Sequence, residues 1–292
     1  MTQTNNTPTP HTVLTSGETS YRFYLGDCLA VLGEMPKASL DAIVTSPPYN
    51  LGIQYRTYKD KLPRDSYLAW SADWIQRAAA TLSPTGSLFL NVGAKPSEPW
   101  TAIDIALAAR PHLELQNTIH WIKSITLEKR GAHNTDLTAG HYKPINSRRF
   151  LHDSHEFIFH FTPHSDVPLD RTAIGVQYQD VSNVARWNTA GAVRCRGNTW
   201  FIPYTTIQSR AKDRPHPATF PTKLPEMCFR LHGCGRIGTV ADPFMGLGST
   251  AVAAAQLGLN FVGIEMDIEY LLEAVARTRA ALWARHRAAL AV

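Results

Sequence analysis

A glycine-rich stretch near the C-terminal end could hold a nucleotide-like ligand. It runs from Val240 to Thr250 as Val-Ala-Asp-Pro-Phe-Met-Gly-Leu-Gly-Ser-Thr. The pattern predicts a strand that ends at an acidic residue, a turn in which Gly246 and Gly248 leave room for a ligand, and a helix whose free N–H groups face the same place. A second apolar strand ends at Glu265, where a carboxylate suits ribose hydroxyls. The stretch therefore indicates a nucleoside-cofactor site.

The same glycines allow two other interpretations. Gly246-x-Gly248-x-x-Ala251 also satisfies the dinucleotide fingerprint, which would indicate NAD, and a tight strand-to-helix turn without a ligand would need glycine as well. The position of the motif disfavours NAD, because only 44 residues (292 minus 248) follow Gly248, too few for the rest of a doubly wound sheet. The remaining strands must lie upstream, so the cofactor half comes last, which is unusual for a dehydrogenase.

A second candidate site follows a short strand far upstream. The strand, Asp41–Thr45, is apolar and β-branched, as a buried parallel strand should be, and it ends in Ser46-Pro47-Pro48-Tyr49. Two prolines fix a rigid turn, and a turn at the carboxyl edge of a parallel sheet is where α/β folds place their chemistry. A plain strand-ending turn whose tyrosine packs on the core is the alternative.

The two motifs together resemble those of a known family. Thr45-Ser-Pro-Pro-Tyr-Asn50 and Asp242-Pro-Phe-x-Gly-x-Gly248 are similar to the motifs of DNA amino-methyltransferases that use S-adenosylmethionine. The order, with Pro-Pro-Tyr first, resembles that of the permuted β group, and the likeness extends over residues 21–270. It implies an α/β fold with a doubly wound, mainly parallel seven-stranded sheet in circularly permuted order, an antiparallel closing hairpin and an inserted target-recognition region.

The resemblance also implies which residues act. Catalysis would lie with the turn Ser46, Pro47, Pro48 and Tyr49. S-adenosylmethionine, without a metal, would be held by Asp27, Asp242, Phe244, Gly246, Gly248, Ser249, Thr250 and Glu265. In that set, Glu265 would take the ribose hydroxyls and Asp27 would reach the adenine amine, although an Asp after Gly can equally well cap the turn that follows.

The chemistry of an exocyclic amine agrees with these residue types. The amine of cytosine or adenine is a poor nucleophile, because its lone pair is delocalised into the ring. Acceptors aimed at its N–H bonds stabilise the positive charge that develops during methyl transfer, and the Ser46 hydroxyl and Pro47 carbonyl are the candidates. Tyr49 would stack on a base flipped out of the duplex. No general base is expected, and the chain has no Pro-Cys dipeptide for the covalent route of cytosine ring-carbon enzymes.

The target base is predicted from one residue, Ser46. Serine before Pro-Pro resembles the enzymes that methylate cytosine N4, whereas Asp is more frequent in adenine N6 enzymes, which are the first alternative. A methyltransferase acting on RNA or on a protein glutamine would not need a large basic insertion. A non-catalytic nucleotide- or DNA-binding module is the alternative from a different class, and it would be indifferent to substitution of Ser46 and Tyr49.

Charge and aromatic content favour double-stranded DNA as the partner. The chain carries 29 Lys and Arg against 24 Asp and Glu, a net charge of +5, and residues 163–215 are basic and aromatic. This interval and the stretch Ser124–Asp153 are expected to fit a core poorly. The side chains expected to contact DNA are Arg148, Arg149, Arg171, Arg186, Arg194, Arg196, Arg210 and Lys212. Any single Arg of this kind more often pairs with a nearby acid, so only the group favours DNA. A homodimer would suit a palindromic target.

Composition sets the expected domains and the cellular setting. We expect a disordered tail at 1–20, the catalytic half at 21–162, the target-recognition region at 163–215 and the cofactor-binding half at 216–292. The chain is 44% hydrophobic, has no 18-residue apolar run, and spaces its four cysteines poorly for a metal site. These features predict a cytoplasmic protein, associated with the nucleoid through DNA and without membrane contact.

Overall fold

A computed structural model describes residues 8–130, 135–140, 145–178, 193–203 and 219–290, and it contains a nine-stranded sheet with helices on both faces. The strands are β1 (Thr12–Ser16), β2 (Thr19–Leu25), β3 (Leu40–Thr45), β4 (Leu82–Val92), β5 (Glu114–Ile122), β6 (Ser124–Leu127), β7 (Leu137–Gly140), β8 (His155–Thr162), β9 (Val176–Gln177), β10 (Val193–Arg194), β11 (Thr199–Phe201), β12 (Thr239–Asp242) and β13 (Asn260–Glu265). The helices are α1 (Cys28–Glu34), α2 (Arg64–Thr81), α3 (Trp100–Ala109), α4 (Lys223–His232), α5 (Ser249–Leu257) and α6 (Ile268–Leu290). Within these ranges, none of the helices is both long and apolar enough to cross a bilayer.

The strand order confirms the predicted fold class. The sheet runs β1-β2-β13-β12-β3-β4-β8-β5-β11. The five strands from β2 to β4 in this order are parallel, β8 is antiparallel to both of its neighbours, and β11 is parallel to β5. Two short ribbons, β6 with β7 and β9 with β10, lie outside the sheet. The sheet is mainly parallel and permuted as expected, but it has nine strands rather than seven, because β1 and β11 extend its two edges.

Alternate residues of the central strands face two separate apolar cores. On β3, Ala42 and Val44 pack with α4, α5 and α6, whereas Ile43 packs on the opposite face with α1, α2 and α3. Such alternation is what a strand buried on both faces requires. Since helices cover both faces, a ligand can reach the sheet where its strands end.

The predicted disordered tail is wrong for residues 12–20. Thr12–Ser16 pairs antiparallel with the start of β2, and Gly17 turns the chain between them with a φ of +57°. Leu14 packs against the core. The β-branched residues Thr12, Val13 and Thr15 favour a strand, which the Thr- and Pro-rich composition of the surrounding segment conceals. Residues 1–7 lie outside the described residues.

Part of the interval 163–215, expected to fit a core poorly, belongs to the sheet. β11 continues the sheet beyond β5, and Trp200 at its centre is fully buried. Trp121 Nε1 donates to the Ile202 carbonyl across this pair at 2.8 Å. Val167 is buried as well. The interval is therefore anchored to the catalytic half, and its role in target recognition stays a prediction.

Candidate active site

Two turns meet at the carboxyl edge of the sheet. Because β3 and β12 are parallel neighbours, the turns after Thr45 and Asp242 leave the sheet side by side. Thr45 Oγ1 donates to Asp242 Oδ1 at 2.7 Å, which joins two motifs 197 positions apart. A cavity of about 380 Å³ opens between the turns, and residues of both line it.

The residues expected to hold the cofactor fall into two groups. Five of them line the cavity, namely Asp27, Phe244, Gly246, Ser249 and Glu265. The other three lie behind the cavity wall, namely Asp242, Gly248 and Thr250, and their part in holding the cofactor stays a prediction. This second group shapes the turn rather than the cavity surface.

Asp242 holds the cofactor turn in place. Its side chain is 1% exposed and accepts hydrogen bonds from Thr45 Oγ1 at 2.7 Å, Thr250 Oγ1 at 2.6 Å and the Phe244 N–H at 3.1 Å. Burial raises the pKa of this carboxyl to about 6, although the three hydrogen bonds oppose the shift. Since these bonds use both carboxylate oxygens, Asp242 fixes where the chain leaves β12.

Gly248 is required by helix packing. Its φ is +73°, and a Cβ at this position would lie 2.7 Å from the Cβ of Ala274 on α6. A side chain would therefore force α5 away from α6. Gly246 differs, because it lines the cavity and its N–H donates to Glu265 Oε2 at 2.8 Å.

Two carboxylates border the cavity near the ends of β2 and β13. Glu265 accepts hydrogen bonds from two backbone N–H groups, one of them that of Gly246, and burial raises its pKa. Asp27 caps α1, since its Oδ1 accepts from two N–H groups of the first turn at 2.8 and 3.3 Å. The capping alternative is thus confirmed for Asp27, and its contact with an adenine amine stays a prediction.

The neighbouring wall of the cavity is aromatic. Phe244 makes edge-on contacts with Trp70 and Trp74 of α2, with ring centres 5.5 and 5.1 Å apart. Tyr58 packs on Trp70 and lines the cavity, and its hydroxyl is buried without a partner among the described residues. A buried hydroxyl of this kind is costly unless a ligand satisfies it. An aromatic cavity with carboxylates and an unsatisfied hydroxyl fits an adenosine-like ligand.

A loop that the sequence motifs do not predict, residues 50–62, folds over the cavity. Asn50 and Leu62 clamp its two ends with reciprocal hydrogen bonds of 2.9 and 2.6 Å. Asp60, 3% exposed, accepts from three N–H groups of the same loop. Arg56 joins the loop to the N-terminal end of α6 through ion pairs with two carboxylates. Asn and Asp side chains often form hydrogen bonds with nearby backbone in this way. Asn50 and Asp60 were therefore the residues from which this loop could have been predicted.

The Pro-Pro-Tyr turn forms another wall. Tyr67 Oη on α2 donates to the Pro48 carbonyl at 2.7 Å and holds the turn from behind. Pro47 lines the cavity beside Ser46. Ser46 Oγ lies 2.6 Å from Tyr49 Oη. The structure thus brings the two acceptors predicted for the amine, on Ser46 and Pro47, to the cavity.

The Tyr49 hydroxyl continues into a polar network that the motifs do not predict. It lies 3.1 and 3.3 Å from the main-chain and side-chain oxygens of Asn91, and 3.3 Å from Glu156 Oε2. Glu156 Oε1 accepts from Lys123 Nζ at 2.7 Å. Burial first, and then the Glu156 charge, raise the pKa of Tyr49 well above its usual value. The Glu156 carboxylate is therefore linked to Ser46 through two hydrogen bonds, by way of the Tyr49 hydroxyl. The sequence predicts no general base at this site.

The topology explains how these residues reach the site. β8 is antiparallel to β4 and β5, so its first residues lie where those two strands end, and Glu156 pairs in register with Trp121. Gly93 allows the close approach, because a Cβ there would lie 3.1 Å from Glu156 Cδ and 3.2 Å from Tyr49 Cε2. The network is thus built from three strand ends and the Pro-Pro-Tyr turn.

The sequence matches a known family over most of its length. The family model described as DNA methylase covers residues 40–276. The chain belongs to this family. It is 27% identical over 261 residues to the type II methyltransferase M.BglII of Bacillus subtilis, across 86% of this chain and 66% of that protein. It is also 27% identical over 261 residues to M.ScaI of Streptomyces caespitosus, across 88% of this chain and 81% of that protein.

Solved structures share the fold of this methylase. PvuII DNA methyltransferase, described as cytosine-N4-specific, superposes with a TM-score of 0.64 at 18% identity, over 92% of this chain and 89% of its own. A Thermus thermophilus protein solved in complex with S-adenosyl-L-methionine superposes with a TM-score of 0.56 at 22% identity, over 90% of this chain and 96% of its own. Both likenesses confirm the α/β architecture.

The five candidate DNA-binding residues that the structure describes do not line the cavity. Arg148, Arg149, Arg171 and Arg194 are exposed, whereas Arg196 is half-buried and donates to a main-chain carbonyl at 2.9 Å. Within the described ranges, none of these five forms an ion pair with an acid. Three further candidates lie outside the described residues, namely Arg186, Arg210 and Lys212.

One cysteine of the methylase borders the cavity. Cys28 is buried, and burial is the main reason why the pKa of its thiol rises to about 12. The thiol therefore stays protonated at neutral pH and is a packing group rather than a nucleophile. In the part of the chain that the structure describes, no three His, Cys, Asp or Glu side chains are arranged to hold a metal ion.

Proposed function

We propose that this DNA methylase transfers a methyl group from S-adenosylmethionine to the exocyclic N4 amine of cytosine, within a specific sequence of duplex DNA. One observation carries the proposal. Ser46 and Pro47, which carry the two acceptors, line the same cavity as Phe244 and Glu265, which suit an adenosine-like ligand. Direct transfer needs the two reacting atoms to meet within about 3 to 3.5 Å, so donor and acceptor must occupy one cavity.

The cofactor end of the cavity would hold S-adenosylmethionine. Glu265 suits the ribose hydroxyls, Phe244 offers an aromatic surface for adenine, and Gly246 lets the ligand approach the backbone. The buried Tyr58 hydroxyl would gain a partner. When bound, the cofactor supplies a methyl group on a positively charged sulfur. The Thermus thermophilus complex with S-adenosyl-L-methionine supports this assignment through its similar fold.

The opposite end of the cavity would receive the target amine. The Pro47 carbonyl and the Ser46 hydroxyl can each accept one of its two N–H bonds. Both acceptors become more effective as the nitrogen gains positive charge, so they stabilise the transition state more than the bound substrate. The rigid turn, fixed by Tyr67, keeps these acceptors in place before the base arrives.

Such a recessed site requires the base to leave the duplex. Extruding a base costs a few kcal/mol, which stacking on the Tyr49 ring in the cavity would partly offset. The exposed arginines Arg148, Arg149, Arg171 and Arg194 would contact phosphates and hold the duplex over the cavity. The reaction would take place in the cytoplasm, where the chain meets DNA.

Cytosine is favoured over adenine because Ser46 is neutral and resembles the residue of N4 enzymes. PvuII DNA methyltransferase, whose fold is similar, is described as cytosine-N4-specific, which agrees with this choice. Adenine N6 is the alternative for the same cavity and the same transfer. A non-catalytic binding module is disfavoured, because it would not need the polar network behind Ser46 and Tyr49.

The test is methylation of DNA by the purified full chain. Unmethylated genomic DNA would be incubated with methyl-labelled S-adenosylmethionine, digested to nucleosides and analysed by mass spectrometry. We expect labelled N4-methylcytosine from the wild type and from Ser66→Ala, an exposed serine on α2. Ser46→Ala should form it far more slowly, since it loses one acceptor.

The possible outcomes separate the alternatives. Labelled N6-methyladenine would keep the reaction and overturn the choice of cytosine. Cofactor binding without any methylated nucleoside would overturn DNA as the substrate and direct the search to RNA or protein acceptors. Equal rates for Ser46→Ala and Ser66→Ala would show that the Ser46 hydroxyl has no part in the transfer.

A further inference from the structure

The Tyr49 hydroxyl lies between one hydroxyl and three oxygens that carry no proton. The hydroxyl is Ser46 Oγ, at 2.6 Å, and the three oxygens are two of Asn91 and one of Glu156 at 3.1 to 3.3 Å. Asn91 Nδ2 donates to the Phe157 carbonyl at 3.1 Å, which turns the amide oxygen of Asn91 towards Tyr49. Tyr49 has a single proton to give.

This arrangement sets the direction of the hydrogen bonds. Tyr49 donates its proton into the group of three acceptors, and so it accepts the proton of Ser46. The lone pairs of Ser46 Oγ are then left for a donor in the cavity. Among the three acceptors, Glu156 is the charged one, and a hydrogen bond to a carboxylate is stronger than one to a carbonyl. Lys123 holds the other oxygen of Glu156 at 2.7 Å.

We infer that Glu156, acting through Tyr49, turns Ser46 into an acceptor for the target amine and takes the proton that this amine releases. The inference rests on the proposed function. As the nitrogen–carbon bond forms and the sulfur–carbon bond breaks, the amine passes one proton to Ser46 Oγ. Ser46 passes its own proton to Tyr49 Oη, and Tyr49 passes its proton to Glu156 Oε2. The products are the methylated amine, a neutral thioether and a protonated Glu156, so charge and atoms balance.

Glu156 is thus a positioning residue rather than a group that touches the substrate. Its neighbours agree with this role. The high pKa of Tyr49 keeps its hydroxyl protonated and able to relay a proton rather than to hold a charge. Gly93 packs against both Tyr49 and Glu156, which keeps the two side chains in contact.

The experiment measures single-turnover rates of methyl transfer by the full chain on unmethylated duplex DNA. Glu156→Gln keeps the size of the side chain but cannot take the proton. Tyr49→Phe removes the hydroxyl that relays the proton from Ser46 to Glu156. We expect each to slow transfer by at least about 100-fold, the usual scale of proton-transfer catalysis. Glu114→Gln, exposed at the far end of β5, should stay within about twofold of the wild type.

Two further readouts separate proton transfer from a structural role. The variant that carries both substitutions should be no slower than the slower single variant, because both residues act in the same proton relay. Cofactor affinity, measured by calorimetry, should be unchanged in all variants, which also shows that they are folded. Losses that multiply in the double variant, or a Glu156→Gln rate near that of the wild type, would overturn the inference.

The wild type itself separates this inference from the proposed function. If the wild type forms no methylated nucleoside at all, the proposed function itself is refuted. If the wild type methylates DNA and the variants match it, the inference alone is refuted.

Discussion

Replacing Gly248 by alanine should destabilise the fold by about 2 to 5 kcal/mol. Its φ of +73° is a left-handed conformation, which costs an L-residue about 1 to 2 kcal/mol. The added Cβ would also lie 2.7 Å from the Cβ of Ala274 and 3.1 Å from its Cα, and neither atom can rotate away. Overpacking of this kind costs about 1 to 3 kcal/mol, and the two costs add to the range given.

Urea unfolding of the full chain, followed by tryptophan fluorescence without cofactor, would measure this loss. Gly52→Ala is the matched control, because its φ is +75° but no atom lies within 4 Å of the added Cβ. The control should lose only the conformational part, about 1 to 2 kcal/mol. If both variants lost the same stability, the contact between α5 and α6 would not be the reason for glycine at position 248, and our account of this turn would be wrong.

Three further predictions concern charged groups. Because the pKa of Asp242 in the fold, about 6, exceeds its ordinary value of 3.8, the folded state binds this proton more tightly than the unfolded chain. The free energy of unfolding should therefore fall as pH rises from about 4 to about 6, and urea unfolding of Asp242→Asn should lack that slope. Arg56→Gln removes the ion pairs to Asp267 and Glu269, so stopped-flow measurements should show cofactor dissociation about 2- to 5-fold faster, with Lys61→Gln unchanged. Replacing Arg148 and Arg149 by Gln should weaken DNA binding on every sequence and lower the salt slope by about 2, whereas Lys37→Gln, before β3, should leave that slope as it is.

The sequence predicts the two turns of the site because their residues act locally. Pro47 and Pro48 restrict their own backbone, and Gly246 and Gly248 permit positive φ wherever the chain carries them. Each turn also follows a short apolar strand, which is recognisable without its neighbours. The order of the two halves and the position of the cavity follow from such local features, whereas the fold class is what the resemblance of the two motifs to DNA amino-methyltransferases implies.

The direction of a side chain at the end of a strand does not follow from local sequence. Asp242 ends β12 next to Thr45, which lies 197 positions away in the chain. That partner turns the carboxylate into the fold, where it supports the turn, a role that the motif alone does not predict. The Thr250 side chain also points into the fold, because its hydroxyl donates a hydrogen bond to Asp242. Gly248 satisfies the motif, yet the atom that excludes a side chain there belongs to Ala274 on a later helix.

Glu156 shows why the polar network behind Ser46 and Tyr49 could not be predicted from the sequence. It lies 110 positions (156 minus 46) after Ser46, in a strand for which the sequence predicts no residue of the site. It reaches the cavity because β8 runs antiparallel between β4 and β5, so that the beginning of one strand meets the ends of two others. In an all-parallel sheet, the beginning of a strand would lie at the opposite edge from the chemistry. The antiparallel strand β8 therefore carries a carboxylate to the site, and the first residues of a strand placed in this way are where further polar groups of the site should be sought.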